Sequence, residues 1–214
     1  MDVVFGNFAA YRQGFATTLT LTLISGVLAL LLGTLLAGMR VSPAPPLRAA
    51  GTAYVEVLRN TPLTIVFFFA VFVLPQLRIG LSFFTFAVIA VTVYHAAFFC
   101  EAVRSGINSV GVGQAEAARS IGLTFGQSLR QVVLPQAFRT VIPPLINVFI
   151  ALTKNTSIAS AFGVVDLTSI GARLSNDTGQ PILVLLGVAV CYLLITIPAG
   201  LLAGAAERRL AVAR

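Results

Sequence analysis

Long apolar blocks alternate with short polar connections along this chain. Five blocks stand out, roughly Phe15–Met39, Ala53–Leu74, Phe83–Arg104, Ala137–Ser157 and Ile182–Ala205. Each is near the ~20 residues a helix needs to cross the hydrocarbon core of a bilayer. Lipid offers a backbone no hydrogen-bond partners, so each block is predicted to be helical. The first block has no basic leader and exceeds a signal-peptide core in length, so it is expected to remain as the first span.

Two connections carry patterns of their own. In residues 110–135, Gln114 to Ile121 is good helix material, and Gly122 suits the left-handed position that ends a helix. A second helix is expected to start near Thr124, capped toward Gln127, and to run to Leu134, with Pro135 marking the turn into the fourth block. The island then consists of two short helices across a glycine hinge, parallel to the membrane. Glu116 and Arg119 are three apart and can pair on one face. The other connection, Ile158–Pro181, is long for a loop. Asp166 is placed to cap a short helix through Ser169 and Ile170, so a helical hairpin is expected at the outer surface.

Composition supports a membrane setting. The 214 residues are 57% hydrophobic and only 10% charged, against about 25% charged in a soluble domain. The fold class is therefore all-α and membrane-embedded, with residues 1–214 as one transmembrane domain. The net charge of +7 comes from arginine and the single lysine, Lys154. Without a basic patch interleaved with aromatics, a nucleic-acid partner is not expected. Arg40, Arg48, Arg104, Arg119, Arg130, Arg139, Arg208, Arg209 and Arg214 fall on connections of one membrane face, and Arg12, Arg78 and Arg173 on the other. The positive-inside rule then puts the N-terminus outside and the 110–135 loop and C-terminus in the cytoplasm.

Catalytic chemistry finds no foothold in the sequence. Cys100 and Cys191 form no CxxC, and His95 stands without an HExxH or Cys/His cluster, so a metal site is not expected. No phosphate-loop glycine precedes Lys154, and no Gly-x-Ser-x-Gly elbow occurs. Polar residues inside apolar blocks remain, and these are costly without partners or water. Glu56 with Arg59, and Glu101 with Arg104, have helical spacing for pairing or gating. Thr61 precedes Pro62 where a span can break. Tyr94, His95 and Phe98 form one polar-aromatic face, which lines a path or packs. Lys154, Asn155, Thr156 and Ser157 close the fourth block, where Lys154 either attracts an acidic substrate or snorkels. Gly200 and Gly204 form a GxxxG, a helix-packing face or a chance pair.

The island reads Glu116-Ala117-Ala118, three residues, Gly122, nine residues, Val132, one residue, Leu134-Pro135. This resembles the EAA signature of ABC-importer permeases, with Val132 where isoleucine is usual. Arg59-Asn60-Thr61-Pro62-Leu63 resembles the RxTP motif of polar amino-acid permeases. Glu101 to Ile107 with Gly113-Gln114, and Leu152 to Ser157, resemble further segments of that family. The likeness covers about residues 16 to 205 and is most like glutamate-type permease subunits of actinobacterial importers. It implies a five-span type I importer permease of the MetI-like fold in the bacterial cytoplasmic membrane. A coupling helix holding Gln114, Glu116, Ala117, Ala118, Arg119 and Gly122 would sit in a groove of a cytoplasmic ATPase. ATP and Mg would belong to that ATPase dimer, and this chain would bind no cofactor and do no enzymatic chemistry. A second permease subunit, a heterodimer favoured over a homodimer, and an extracytoplasmic solute-binding protein would complete the assembly. Arg59, Thr61, Tyr94, Glu101, Lys154, Asn155, Thr156 and Ser157 are the candidates for the substrate path. Glutamate is the expected substrate, with glutamine, histidine, arginine or another polar amino acid as alternatives. An ion-coupled secondary transporter is the rival of another class. It usually shows inverted repeats, and no internal repeat is visible. A small channel would leave the two-helix island unexplained.

Overall fold

A computed structural model describes residues 2–210; Arg214, counted above among the tail charges, lies outside them. The helices are α1 (Asp2–Gly6), α2 (Phe8–Val41), α3 (Pro45–Arg59), α4 (Leu63–Gln76), α5 (Phe83–Asn108), α6 (Val112–Ser120), α7 (125–155), a 3-10 turn (Thr156–Phe162), α8 (Leu167–Thr178) and α9 (Pro181–Leu210). No strand occurs among the described residues. Four stretches are long and apolar enough to cross a membrane: α2, α5, Pro135–Phe162 and Pro181–Ala206. The α3–α4 pair makes a fifth if counted as one span.

The block Ala53–Leu74 is not a straight span, because α3 and α4 meet at 104°. Pro62 has no N–H to continue the helix, and its ring drives Thr61 out of the helical region. Pro62 itself is extended and opens α4. Side chains bond the last carbonyls of α3: Thr61 Oγ1 donates to Val57 O at 2.8 Å, and Asn60 Nδ2 donates to Glu56 O at 2.7 Å beside that carbonyl's bond from Asn60 N–H. A break inside an apolar segment survives only with such local compensation.

Pro135 does not turn the chain. The helix runs on from residue 125 to residue 155, with a π turn, Leu129–Val133, just before the proline. A π turn is wider than an α turn, so it makes room for the ring and absorbs the missing donor. The same four residues, Val-Leu-Pro-Gln, stand at 73–76 and 133–136, each preceded by a π turn, Phe69–Val73 in the first case. A four-residue repeat is too short to register as domain symmetry, yet it fixes the same local geometry twice.

The core lies where α2 and α5 cross, with Leu21, Phe67, Val91, Phe99 and Leu152 buried. A Cβ on Gly33 would sit 2.6 Å from Phe99 Cβ, and one on Gly106 would sit 1.7 Å from Val141 Cγ2. These glycines let α2–α5 and α5–α7 approach, as small residues do at membrane helix contacts. Gly200 and Gly204 do not serve this purpose within the chain: a Cβ on Gly200 would meet Ile150 Cδ1 only at 3.9 Å. Toward the other end, Tyr11 OH donates to Val184 O at 2.9 Å and ties α2 to α9. The α8 element forms as expected: Asp166 Oδ1 accepts from Ser169 N at 2.8 Å, and Leu167 N donates to Thr18 Oγ1 at 3.1 Å. The helix thereby docks on α2.

Candidate functional site: an exposed short helix, an arginine cluster and a small cleft

The island projects α6 away from the helix bundle. Gln114, Glu116, Ala117 and Arg119 are exposed, and only Ala118, 4% exposed, faces inward. Glu116 and Arg119 do not pair; among the described residues neither belongs to an ion pair. Both charges are therefore free to meet another surface. Gly122 has φ +90°. Its N–H donates to Arg119 O at 3.0 Å and Leu123 N–H donates to Ala118 O at 3.2 Å, the two bonds of a Schellman stop. Thr124 and Gln127 then cap the next helix reciprocally, Thr124 N–H donating to Gln127 Oε1 at 2.9 Å and Gln127 N–H to Thr124 Oγ1 at 3.3 Å. The exposed Ile121 adds an apolar anchor beside these charges. A short helix with a fixed C-terminal stop, set between the long helices α5 and α7, can pass a push to the spans as a rigid body.

Glu101 is the hub of a cluster at the ends of α2, α3 and α5. Arg104 Nη2 lies 2.9 Å from its carboxylate and Arg59 Nη1 3.8 Å, while Arg40 Nη1 contacts the other oxygen. The expected Glu101–Arg104 pair is present. The expected Glu56–Arg59 pair is not: Arg59 turns to Glu101, and Glu56 takes a 3.4 Å contact from Asn60 Nδ2. Three guanidinium groups on one carboxylate leave a formal surplus of positive charge.

Next to this cluster a cleft of about 180 Å³ opens between α5 and α7, where Tyr94, His95 and Asn155 add polar groups to the apolar Phe98, Val148 and Ala151. His95 is buried; its Nδ1 lies 2.9 Å from Val91 O and its Nε2 3.1 Å from Asn155 Nδ2. The Arg59 guanidinium sits 5.8 Å from the centre of the Phe98 ring, in cation–π range, and links the cleft to the cluster.

The fold thus gathers Tyr94, Asn155, Arg59 and Glu101 and disperses the other candidates. Thr61 closes α3 and faces a different, apolar groove with Val57, Ile65 and Phe69. Lys154 is exposed and forms no ion pair among the described residues. Thr156 is fully buried, its hydroxyl donating to Thr153 O, and Ser157 donates to Lys154 O. Sequence reasoning assigned Arg40 only to the topology count. Its partner lies 61 positions away, and the one available signal was a lone glutamate in an apolar helix, which demands a cation.

The family described as "Binding-protein-dependent transport system inner membrane component" matches residues 29–212. A probable glutamine ABC transporter permease of Bacillus subtilis is 40% identical over 210 residues, 98% of this chain and 97% of that protein. A glutamate transport system permease of Corynebacterium glutamicum is 43% identical over 212 residues, 92% of each chain. Among solved structures, an amino acid ABC transporter crystallised with histidines superposes with TM-score 0.90 at 31% identity, over 96% of each chain. An inward-facing MetNI methionine ABC transporter superposes at 0.75 and 23% identity, over 96% of this chain and 98% of that one, which speaks for the fold alone.

Proposed function

We propose that this chain, which belongs to the family of binding-protein-dependent transport system inner membrane components, is the permease subunit of an ATP-driven importer for a polar amino acid, with glutamate as the first candidate. The carrying observation is near-full-length similarity to permeases named for glutamate and glutamine, joined to an exposed, rigidly stopped helix. Glutamine is the second reading, supported by the 40% identical Bacillus relative. Histidine and arginine follow.

The partners are an ATPase dimer that holds ATP and Mg, a second permease subunit, with a heterodimer favoured, and an extracytoplasmic binding protein. In this reading the N-terminus lies outside and the C-terminus inside, in keeping with the arginine distribution. The α6 helix, with Gln114, Glu116, Ala117, Ala118, Arg119 and the Gly122 stop, seats in the ATPase. The cleft of Tyr94 and Asn155, with Arg59 at its edge, forms part of the amino acid's path between outward and inward access. The permease performs no covalent step. It converts ATPase closure into exposure of the cleft to alternate sides.

Co-purification tests this. The native chain is expected to retain its ATPase, and Glu116→Arg and Gly122→Pro are expected to lose it. A native chain that retains none, yet takes up solute on an ion gradient alone, would turn the assignment toward a secondary transporter. Stimulation of the assembled ATPase by binding proteins loaded with glutamate or glutamine then separates the two substrates.

A further inference from the structure

We infer that His95 is a positioning residue, which as a neutral imidazole protonated on Nδ1 holds Asn155 with its amide oxygen turned into the cleft, to accept a hydrogen bond from the ammonium group of a passing amino acid. The inference rests on the permease reading above.

For a neutral imidazole the hydrogen-bond pattern leaves one consistent arrangement. Val91 O can only accept, so the His95 nitrogen 2.9 Å away, Nδ1, carries the proton. Nε2 is then a bare acceptor, and the Asn155 atom 3.1 Å from it must be the donor, Nδ2. The reverse amide orientation would set Oδ1 against the Nε2 lone pair. With Nδ2 thus held, Oδ1 takes no hydrogen bond from the described protein, and it does not belong to the buried unpartnered atoms. It is open to the cleft that Asn155 lines. The ring cannot swing away, because it is 2% exposed and packs edge-on to Tyr94 at 5.1 Å between centroids. Arg59 lies outside the lining, with its guanidinium 5.8 Å from the centre of the Phe98 ring. A neutral acceptor in the lining and a guanidinium on Phe98 suit the ammonium and carboxylate of a zwitterionic amino acid.

The test uses the complete importer, permeases with ATPase, in proteoliposomes with loaded binding protein in excess. His95→Leu and Asn155→Leu are each expected to lower amino-acid uptake about tenfold, the lower end for one hydrogen bond to a charged group. Stimulation of the ATPase by the binding protein should stay within about twofold. His95→Gln, whose Oε1 can replace the acceptor nitrogen, should restore uptake to within about threefold of the parent. The double Leu variant should be no worse than either single, because both remove the same contact. The chain has a single histidine, so its ¹⁵N imidazole resonances are unambiguous and should report a protonated Nδ1 and a bare Nε2. A bare Nδ1, a double variant reduced about a hundredfold, a Gln variant as poor as Leu, or ATPase stimulation falling in step with uptake would each overturn the inference. The imidazole spectrum requires no transport, so it separates a failure of the His95–Asn155 geometry from a failure of the permease reading, which would show as a parent importer that moves no amino acid.

Discussion

Replacing Glu101 with Gln should loosen the end of the bundle from which α6 departs. The side chains of the cluster differ in exposure: Arg40 10%, Glu101 23%, Arg104 35% and Arg59 42%. The contacts to Arg59 and Arg104 are partly solvated and fall in the range of surface pairs, about 0–1 kcal/mol each. Arg40 is nearly buried, and stranding a buried charge costs about 3–5 kcal/mol. A total of ~3 kcal/mol is expected, since Gln keeps the shape and one hydrogen-bond acceptor. At ~2–4 °C per kcal/mol for a chain of this size, the unfolding midpoint should fall by ~6–12 °C. Cys100 adjoins Glu101 and is fully buried, so a thiol-reactive fluorogenic dye reads local opening during a thermal ramp in detergent. Cys191, the other free and only partly buried thiol, is first changed to Ala in the parent. Arg40→Gln strands no charge, because Glu101 keeps Arg104 and Arg59, so it should shift the midpoint less than Glu101→Gln, and Arg59→Gln by less than ~3 °C. A Glu101→Gln shift below ~2 °C, or an Arg40→Gln shift as large as that of Glu101→Gln, would refute the reasoning.

Four other outcomes follow from local geometry. Gly122→Ala places a Cβ at φ +90°, at a cost of about 1–2 kcal/mol, and should weaken ATPase retention on co-purification, with Gly122→Asn milder. Gly106→Leu puts side-chain atoms where Val141 Cγ2 already lies 1.7 Å from a Cβ, so the yield of folded protein by size-exclusion should collapse while Gly111→Ala, in open space, behaves as parent. Burial lifts the Asp166 carboxyl to about 6 from its usual 3.8. The folded state therefore holds that proton more tightly, and ionisation penalises the fold: nothing is lost below about pH 4, and the full ~3 kcal/mol is lost above about pH 6. Asp166→Asn, which keeps the cap, should raise the melting midpoint at pH 7 and leave it unchanged at pH 4. Arg78 holds φ 62° without being glycine, so Arg78→Gly should stabilise by ~1 kcal/mol in the same melting assay.

The elements governed by neighbours in sequence were legible in advance. Gly122 could be assigned to its left-handed stop, Thr124 and Gln127 to their reciprocal cap, and Asp166 to the start of α8, because each depends on residues within four positions. The path past Pro135 was not legible. A proline after a helical run reads as a turn unless a π turn precedes it to take up the ring and the missing donor. The cluster on Glu101 was read only through its i,i+3 partner. The Glu56–Arg59 spacing suggested a pair that the break after Arg59 replaced with another.

By itself the sequence determined that this chain is a helical membrane protein with a short polar helix, stopped at Gly122, between two apolar blocks. Apolar block length, helix stops and the Glu-Ala-Ala…Gly…Leu-Pro spacing are short-range properties written along one dimension. Only the tertiary structure decided which polar residues share a site. Arg40, Arg59 and Glu101 come from three helices, and His95 meets Asn155 across 60 positions. A charge or hydrogen-bond donor inside an apolar bundle must find a partner, but which partner is set by how α2, α3, α5 and α7 cross, and glycine contacts such as Gly33 and Gly106 fix those crossings.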